Sequence, residues 1–264
     1  MLFAALLSYA LLATAANPRL ASRLARRAEG AHLSGVRLPA EGVSNLIKGN
    51  TTHEEFSSNW AGAAFESPAG TYKSVTGTFV VPTPRVPSGQ SSSGSYAASA
   101  WVGIDGDTCG SAILQTGIDF TISGGRVSFD AWYEYFPDFA HDFSGISIAA
   151  GNTIKLTVTA SSATAGTAVI QNLSNGQTVS KSLTSSARLC QQNAEWIVED
   201  FESGNALVPF ANFGTVTFTG ASATTASGGT VGPNGAVLID IEQNNKVLTS
   251  SSIGGSSVTV SYTG

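Results

Sequence analysis

Short runs of β-branched and aromatic residues, separated by glycine, proline and asparagine, occupy the chain from residue 71 to its end. Such residues favour strands, and no stretch of 15 residues has the apolar period of a helix. Asn175-Gly176 predicts a two-residue hairpin, and Gly124-Gly125 predicts a turn. The predicted strands cover residues 71–81, 95–104, 111–120, 126–136, 153–160, 167–173, 178–183, 194–201, 216–219, 236–242, 246–249 and 258–262. Many short strands at regular spacing indicate an all-β fold, an antiparallel two-sheet β-sandwich of the concanavalin-like jelly-roll type.

The amino terminus predicts export. Residues 2–12 form an apolar run, and the small residues Ala13-Thr14-Ala15 follow it. This pattern is typical of a secretory signal peptide, which we place at residues 1–16. The run is too short to cross a membrane, since a spanning helix needs roughly 20 apolar residues. We therefore expect a secreted, extracellular protein without a membrane anchor.

A basic segment follows, and it contrasts with an acidic remainder. Residues 17–50 carry six basic and two acidic side chains, a net charge of +4, whereas the rest carries seven and sixteen, a net charge of −9. We interpret residues 17–55 as a removable pro-segment, with Arg26-Arg27 as a candidate processing site, and residues 56–264 as one domain. A cationic segment can cover an acidic cleft and inhibit it until the carboxylates are protonated. The alternative is a disordered basic tail without a role.

Composition and cysteine content narrow the classes of function. Few bases and a net charge of −5 argue against binding to nucleic acid. The two cysteines, Cys109 and Cys190, predict a disulfide in an exported chain, with two free buried thiols as the alternative. Three histidines and no ligand spacing predict neither a metal site nor a cofactor. The sequon at Asn172 predicts possible glycosylation, and in the absence of an oligomer signal we expect a monomer.

Residues 193–202 concentrate four carboxylates in a stretch that alternates as a strand does. Successive side chains of a strand point to opposite faces, so Glu195 and Glu199 share a face with Ile197 and Phe201. A carboxyl group against apolar neighbours loses hydration, and its pKa rises into the range useful for proton transfer. The alternative is an exposed strand whose acids are solvated.

Two further segments carry candidate polar side chains. Gln115 lies in an apolar strand, where a solvent-facing amide is the favoured interpretation from the pattern alone. Asp130 and Glu134 alternate with Trp132 and Phe136 on one face of a strand, which also fits a sandwich core with acids at its edge. A serine triad lacks a suitable histidine, and no aspartic-peptidase motif is present. Carboxylate chemistry remains, either glycoside hydrolysis by two acids or peptide hydrolysis by an activated water.

Several motifs resemble those of the fungal glutamic peptidases, the eqolisins. They are N-W-A-G (59–62), A-W-V-G-I-D-G-D-T-C (100–109), A-I-L-Q-T-G (112–117), D-A-W-Y-E-Y-F-P (130–137), D-F-S-G-I (142–146) and N-A-E-W-I-V-E-D-F-E (193–202). The likeness runs in order from about residue 58 to the carboxyl terminus. It implies a β-sandwich and a secreted zymogen whose mature form is an acid endopeptidase insensitive to pepstatin.

The resemblance also implies roles for individual residues. The catalytic dyad would be Gln115 and Glu199, and the disulfide would join the two cysteines. Supporting or substrate-binding positions would fall on Trp101, Asp105, Asp130 and Glu134. Some family members carry further cysteines after the strand of the catalytic glutamate and near the carboxyl terminus, and this chain has none there. The substrates would be proteins or peptides, and the alternative functions are a carbohydrate-active and a carbohydrate-binding β-sandwich.

Overall fold

The computed structural model describes residues 32–40, 54–204 and 206–264. The predicted signal peptide, the Arg26-Arg27 pair and much of the predicted pro-segment lie outside these residues. Strands and the loops between them make up the described part, which contains no helix. Consequently no described helix has the length and apolar character needed to cross a membrane.

Twenty strands are present in the described residues. They are β1 (His32–Leu33), β2 (Glu54–Ser57), β3 (Trp60–Glu66), β4 (Tyr72–Val80), β5 (Ser95–Ile104), β6 (Ile113–Ser123), β7 (Arg126–Phe136), β8 (His141–Asp142), β9 (Thr153–Ser162), β10 (Ala165–Asn172), β11 (Gln177–Thr184), β12 (Asn193–Glu199), β13 (Glu202–Ser203), β14 (Ala206–Leu207), β15 (Thr215–Thr225), β16 (Thr230–Val231), β17 (Val237–Gln243), β18 (Lys246–Val247), β19 (Thr249–Gly254) and β20 (Ser257–Tyr262).

Two large sheets form a sandwich, as the sequence predicts. The first has the order β18-β17-β3-β12-β5-β6-β7-β8, with β2 on β17, and the second has the order β11-β10-β9-β4-β15-β20-β19, with β16 on β15. A small third sheet joins β1, β13 and β14. The strand pairs are antiparallel except that β2 runs parallel to β17. β2 also crosses the predicted boundary between pro-segment and domain at residues 55 and 56.

The core lies between the two sheets and fixes the orientation of β12. Ala194, Trp196 and Val198 point into this core, where they pack against side chains of the second sheet. The Trp196 indole N–H crosses the core and donates to the Thr76 carbonyl oxygen at 2.8 Å. Full burial of a large apolar side chain contributes about 1.5–3 kcal/mol. The alternate residues of β12 must therefore face away from the core, on the other side of the first sheet.

Local predictions differ in accuracy. Strands β5 and β7 have the predicted bounds, and Gly124-Gly125 forms the predicted turn with φ angles of 54° and 77°. The two-residue hairpin predicted at Asn175-Gly176 is wrong, because Asn172 pairs with Gln177 and leaves four residues in the connection. The central strand β3 has no counterpart in the prediction, since its sequence, W-A-G-A-A-F-E, is rich in alanine and glycine, which are depleted in strands.

The predicted glycosylation of Asn172 disagrees with the folded structure. Asn172 is fully buried, and its amide nitrogen donates to the Ser147 carbonyl oxygen and to Asn152 Oδ1, both at 2.8 Å. A glycan attached to this nitrogen would need the space and the hydrogen bonds that these neighbours occupy. Asn172 is therefore better explained as a structural residue whose hydrogen bonds hold β10 against the loop before β9.

Candidate active site

The face of the first sheet that points away from the core carries three rows of side chains. Residues paired across neighbouring strands point to the same side, so each row crosses five strands. The rows are Ala64, Glu195, Gly103, Gln115 and Glu134; then Gly62, Ile197, Trp101, Gly117 and Trp132; then Trp60, Glu199, Ser99, Asp119 and Asp130. The topology thus brings carboxyl groups, an amide and tryptophans from distant parts of the chain onto one surface.

Among the acids of this surface, Glu199 accepts the most hydrogen bonds. It is fully buried, and the indole N–H groups of Trp101 and Trp60 donate to Oε2 at 2.8 Å and to Oε1 at 3.3 Å, respectively. The amide of Gly35 donates to Oε1 at 3.2 Å, and the Ser34 hydroxyl donates to Oε2. Burial raises the pKa of Glu199 to about 8, although these donors oppose the rise. Burial and these donors therefore act on Glu199 in opposite directions, one favouring the neutral carboxyl group and the others the carboxylate.

Gln115 and Glu134 are direct neighbours on β6 and β7, and both are fully buried. Gln115 Nε2 donates to the Ser34 carbonyl oxygen at 2.7 Å, and the Ser34 amide donates to Glu134 Oε2 at 3.1 Å. Burial raises the pKa of Glu134 well above its ordinary value, and the nearby Glu199 adds to the rise. The solvent-facing interpretation of Gln115 is wrong, because both faces of β6 are covered at this position.

Trp101 lies between the two members of the predicted dyad, and a glycine makes room for it. A Cβ atom at Gly117 would lie 2.6 Å from the Trp101 Cβ and 2.7 Å from Trp132 Cζ2. Only glycine therefore lets both indoles lie on this part of the sheet. Trp132 in turn donates its N–H to the Ser99 hydroxyl at 3.1 Å. This packing aims the Trp101 N–H at Glu199.

Asp105 lies away from these contacts, in the turn after β5. Its carboxylate accepts the backbone N–H groups of Gln191, Gln192 and Asn193 at 2.7, 2.9 and 3.1 Å. The disulfide between Cys109 and Cys190, predicted from the sequence, closes the same region. In the described residues these two sulfurs and Asp105 form the one group close enough for a shared metal ion, but a disulfide offers no thiolate. Asp105 here holds the start of β12.

Asp130 is exposed, at the end of the third row. It faces Asp119, whose Oδ2 contacts His32 Nδ1 at 2.8 Å. Although the residue is exposed, partial desolvation of its carboxyl group is the largest cause of the raised pKa of Asp130, and the neighbouring Asp119 and Asp142 raise it further. The His32 ring packs on Phe201 and Trp132 at centroid distances of 4.1 and 5.0 Å. This acidic and aromatic end of the site holds a basic side chain of the amino-terminal segment.

Residues 32–40 lie across the whole surface as an extended segment. β1 pairs with β13, and the Arg37 amide donates to the Gly106 carbonyl oxygen at 3.0 Å. Asn59 fixes the far end, since its Oδ1 accepts the Leu38 amide at 2.8 Å. The Arg37 guanidinium contacts Asp107 Oδ1 at 3.1 Å and Glu55 Oε2 at 2.5 Å. The segment thus binds mainly through its backbone, as an extended peptide does.

Sequence reasoning missed Ser34, Trp60 and Asp119 as parts of this site. Ser34 and Glu199 are 165 residues apart, so no local pattern relates them. Asp119 lies one residue before the end of the strand predicted at 111–120 and resembles an ordinary edge acid. Trp60 offered a signal in the N-W-A-G motif, because an indole among small residues on a central strand has room to reach a neighbouring carboxyl group.

Known proteins are similar to this chain in sequence. The profile of the Peptidase A4 family matches residues 58–262. Aspergillopepsin-2 of Aspergillus niger is 48% identical over 284 residues, which cover 99% of this chain and 100% of that protein. Scytalidopepsin B of Scytalidium lignicola is 42% identical over 222 residues, or 81% of each chain.

A solved structure agrees with these relatives. Scytalido-glutamic peptidase with a transition state analog inhibitor superposes with a TM-score of 0.70 at 43% identity, and the match covers 78% of this chain and 98% of that one. The fold class predicted from the sequence is thereby confirmed. Because a family profile covers most of the chain and full-length relatives agree, the chain belongs to the Peptidase A4 family and is a glutamic-type endopeptidase.

Proposed function

We propose that this chain is a secreted acid endopeptidase that hydrolyses proteins with Gln115 and Glu199 as its catalytic dyad. One observation carries the proposal. Gln115 and Glu199 contact opposite ends of a single peptide unit, because Gln115 Nε2 donates to the Ser34 carbonyl oxygen and the Gly35 amide donates to Glu199. A peptidase must treat a scissile bond in this way, with a donor at the carbonyl oxygen and an acid at the nitrogen.

The chemistry follows from the two side chains. Glu199 takes a proton from a water that attacks the peptide carbonyl, and it then gives a proton to the leaving amine. Gln115 orients the water and donates to the developing oxyanion, and a neutral amide keeps this ability at any pH because it does not titrate. In the covered site burial raises the pKa of Glu199 to about 8, although the donors from Ser34, Trp101, Trp60 and Gly35 oppose the rise. Entry of solvent after the segment leaves would lower that pKa again.

The basic segment is the proposed intramolecular inhibitor. Residues 32–40 occupy the cleft, and Arg37 pairs with Glu55 and Asp107 at its side. The pKa of Asp107 is raised to about 6, chiefly by burial, against the lowering effect of Arg37; the neighbouring Glu66 and Glu55 raise it further. Below that pH Asp107 loses its charge, and the attraction for Arg37 weakens. We expect acid to release the segment and activate the enzyme outside the cell.

The first test is cleavage of a denatured protein at acid pH by the acid-activated wild type and by Glu199→Gln. We expect the wild type to digest the substrate and Glu199→Gln to lose at least about 100-fold in kcat, since general acid–base catalysis contributes this much. Circular dichroism checks that both are folded, and a polysaccharide tests the carbohydrate-active alternative. Equal digestion by both variants would contradict the assignment of Glu199.

A further inference from the structure

The peptide bond between Ser34 and Gly35 lies in the position of a substrate bond. The carbonyl oxygen of Ser34 is 2.7 Å from Gln115 Nε2, and the nitrogen of Gly35 is 3.2 Å from Glu199 Oε1. On the proposed function, these are the groups that would stabilise the oxyanion and protonate the leaving nitrogen. The segment therefore lies in the register of cleavage and not merely across the cleft.

Contacts on both sides of the bond fix this register. Leu33 pairs with Glu202 in the small sheet, and the Ser34 amide donates to Glu134 Oε2 at 3.1 Å. Beyond the bond, the Arg37 amide donates to the Gly106 carbonyl oxygen at 3.0 Å. A shift by one residue would break all of these hydrogen bonds together and would reverse the direction of every side chain.

The attacking water has no place beside Glu199, because the Ser34 hydroxyl donates to Glu199 Oε2. The Ser34 hydroxyl, the Gly35 amide and the indoles of Trp101 and Trp60 make four contacts with this carboxyl group. A carboxylate accepts about four hydrogen bonds, and a protonated carboxyl group accepts fewer. Glu199 therefore makes all the hydrogen bonds that it can accept without a water molecule.

Gln115, by contrast, has one side-chain atom that lacks a hydrogen-bond partner in the described part of the chain. Its Oε1 atom is buried and finds no hydrogen-bond partner among the described residues. A buried acceptor without a donor is costly, roughly 1–3 kcal/mol. A water held between Glu199 and Gln115 would supply the donor. The side chain of Ser34 thus satisfies one member of the dyad and leaves the other incomplete.

We propose that Ser34–Gly35 is a self-processing bond that its own serine protects, because the Ser34 hydroxyl replaces the attacking water. This inference rests on the proposed dyad. Without the hydroxyl, a water enters between Glu199 and Gln115, and its oxygen bonds to the carbonyl carbon of residue 34 while Glu199 takes one proton. The bond from that carbon to the Gly35 nitrogen then breaks, and the nitrogen receives the proton from Glu199. The products are a carboxyl group at residue 34 and an amine at Gly35, with one water consumed.

The test uses the full chain with Ser34→Ala, acidified and followed by intact mass and amino-terminal sequencing. We expect a product that begins at Gly35 to form at least about 100-fold faster than in the wild type, since water activation by Glu199 is restored. The matched control is Ser57→Ala, which removes a hydroxyl that donates to the Leu38 carbonyl oxygen at 2.8 Å. This control loosens the segment but keeps the Ser34 hydroxyl, so the Gly35 product should not accumulate.

Further variants separate the inference from the proposed function. The double variant Ser34→Ala, Glu199→Gln should not form the Gly35 product. If Ser34→Ala digests added denatured protein but stays intact at this bond, or if the wild type is cut there equally fast, the inference is wrong and the dyad stands. If no form of the chain digests protein, both are wrong.

A peptide experiment avoids any folding defect in the variants. A synthetic peptide of residues 32–40 is added to the activated enzyme, either with the natural Ser34 or with alanine at that position. We expect the natural peptide to inhibit and to stay intact, and the alanine peptide to be cut before Gly35. Cleavage of both peptides at the same rate would overturn the protective role of the hydroxyl.

Discussion

Glu195 and Glu199 lie four positions apart on the same face of β12, and both are fully buried. Their surroundings differ. Glu199 receives two indole N–H groups and two donors from residues 34 and 35, whereas neither oxygen of Glu195 has a hydrogen-bond partner among the described residues. Burial is the largest cause of a raised pKa for both groups.

The contrast shows that burial alone does not make a carboxyl group a catalyst. Donors at Glu199 favour its ionised form, so the group can release and regain a proton once the cleft opens. At Glu195 no described donor opposes the effect of burial, and the charges of Asp105 and Asp107 raise its pKa further. We therefore expect Glu195 to remain a neutral acid within the wall of the site.

The sharpest test of this contrast compares Glu195→Gln with Glu199→Gln. Glutamine has the shape of a protonated glutamate, so Glu195→Gln should keep kcat within a few-fold of the wild type. Glu199→Gln should lose at least about 100-fold, because the proton carrier is gone. Steady-state kinetics on one peptide at acid pH measures both. A loss in Glu195→Gln as large as that in Glu199→Gln would erase the contrast.

A smaller effect on kcat is expected from a substitution at Gly103, which lies close to both Glu195 and Trp101. Gly103 lies beside Glu195 in the first row, and a Cβ there would lie 2.7 Å from Trp101 Cζ3 and 3.1 Å from Glu195 Oε2. Gly103→Ala should displace the Trp101 indole from Glu199. We expect kcat to fall about tenfold, because one charge-assisted hydrogen bond to Glu199 is weakened. Gly110→Ala, where a Cβ would meet no atom within 4 Å, is the matched control.

Activity in Gly103→Ala equal to that of Gly110→Ala would show that the two carboxyl environments are independent. A change in kcat with an unchanged KM would instead place the effect on the chemical step. The two variants also separate chemistry from stability, because overpacking typically costs about 1–3 kcal/mol of folding free energy. Thermal unfolding of both proteins measures that difference directly.

Alternation along a strand was enough to predict that Glu195, Ile197 and Glu199 share a face, because the period of two is set by backbone geometry. The same rule puts Gln115 and Gly117 on one face correctly, but the interpretation of Gln115 as solvent-facing is wrong. Its strand is buried on both faces, and the cover on the outer face comes from residues 32–40, which no local pattern relates to it. Only the motif resemblance assigned Gln115 to the site. The donors that distinguish Glu199 from Glu195 come from β3, β5 and the amino-terminal segment, and therefore depend on the full topology.

The smallest expected effect concerns stability and pH. The folded-state pKa of Glu195 is well above its ordinary value of 4.5, so the folded protein binds more protons than the unfolded chain as the pH rises above that value. The free energy of unfolding therefore falls as pH rises through this window. Asp200, whose pKa is raised to about 8 from 3.8 mainly by burial, acts in the same direction. We expect Tm to be lower at pH 8 than at pH 4, the ends of this window.

Glu195→Gln cannot ionise, so it should reduce this fall in Tm by a few degrees, roughly 2–4 °C for each kcal/mol removed in a domain of this size. The measurement is best made in the Glu199→Gln background, which prevents self-digestion at acid pH and removes the titration of Glu199 itself. Calorimetry of this background with and without Glu195→Gln isolates the one remaining carboxyl group of the pair. An identical slope of Tm against pH in both proteins would mean that Glu195 ionises without a loss of folding free energy. The surroundings of Glu195 would then not differ from those of Glu199 in the way proposed.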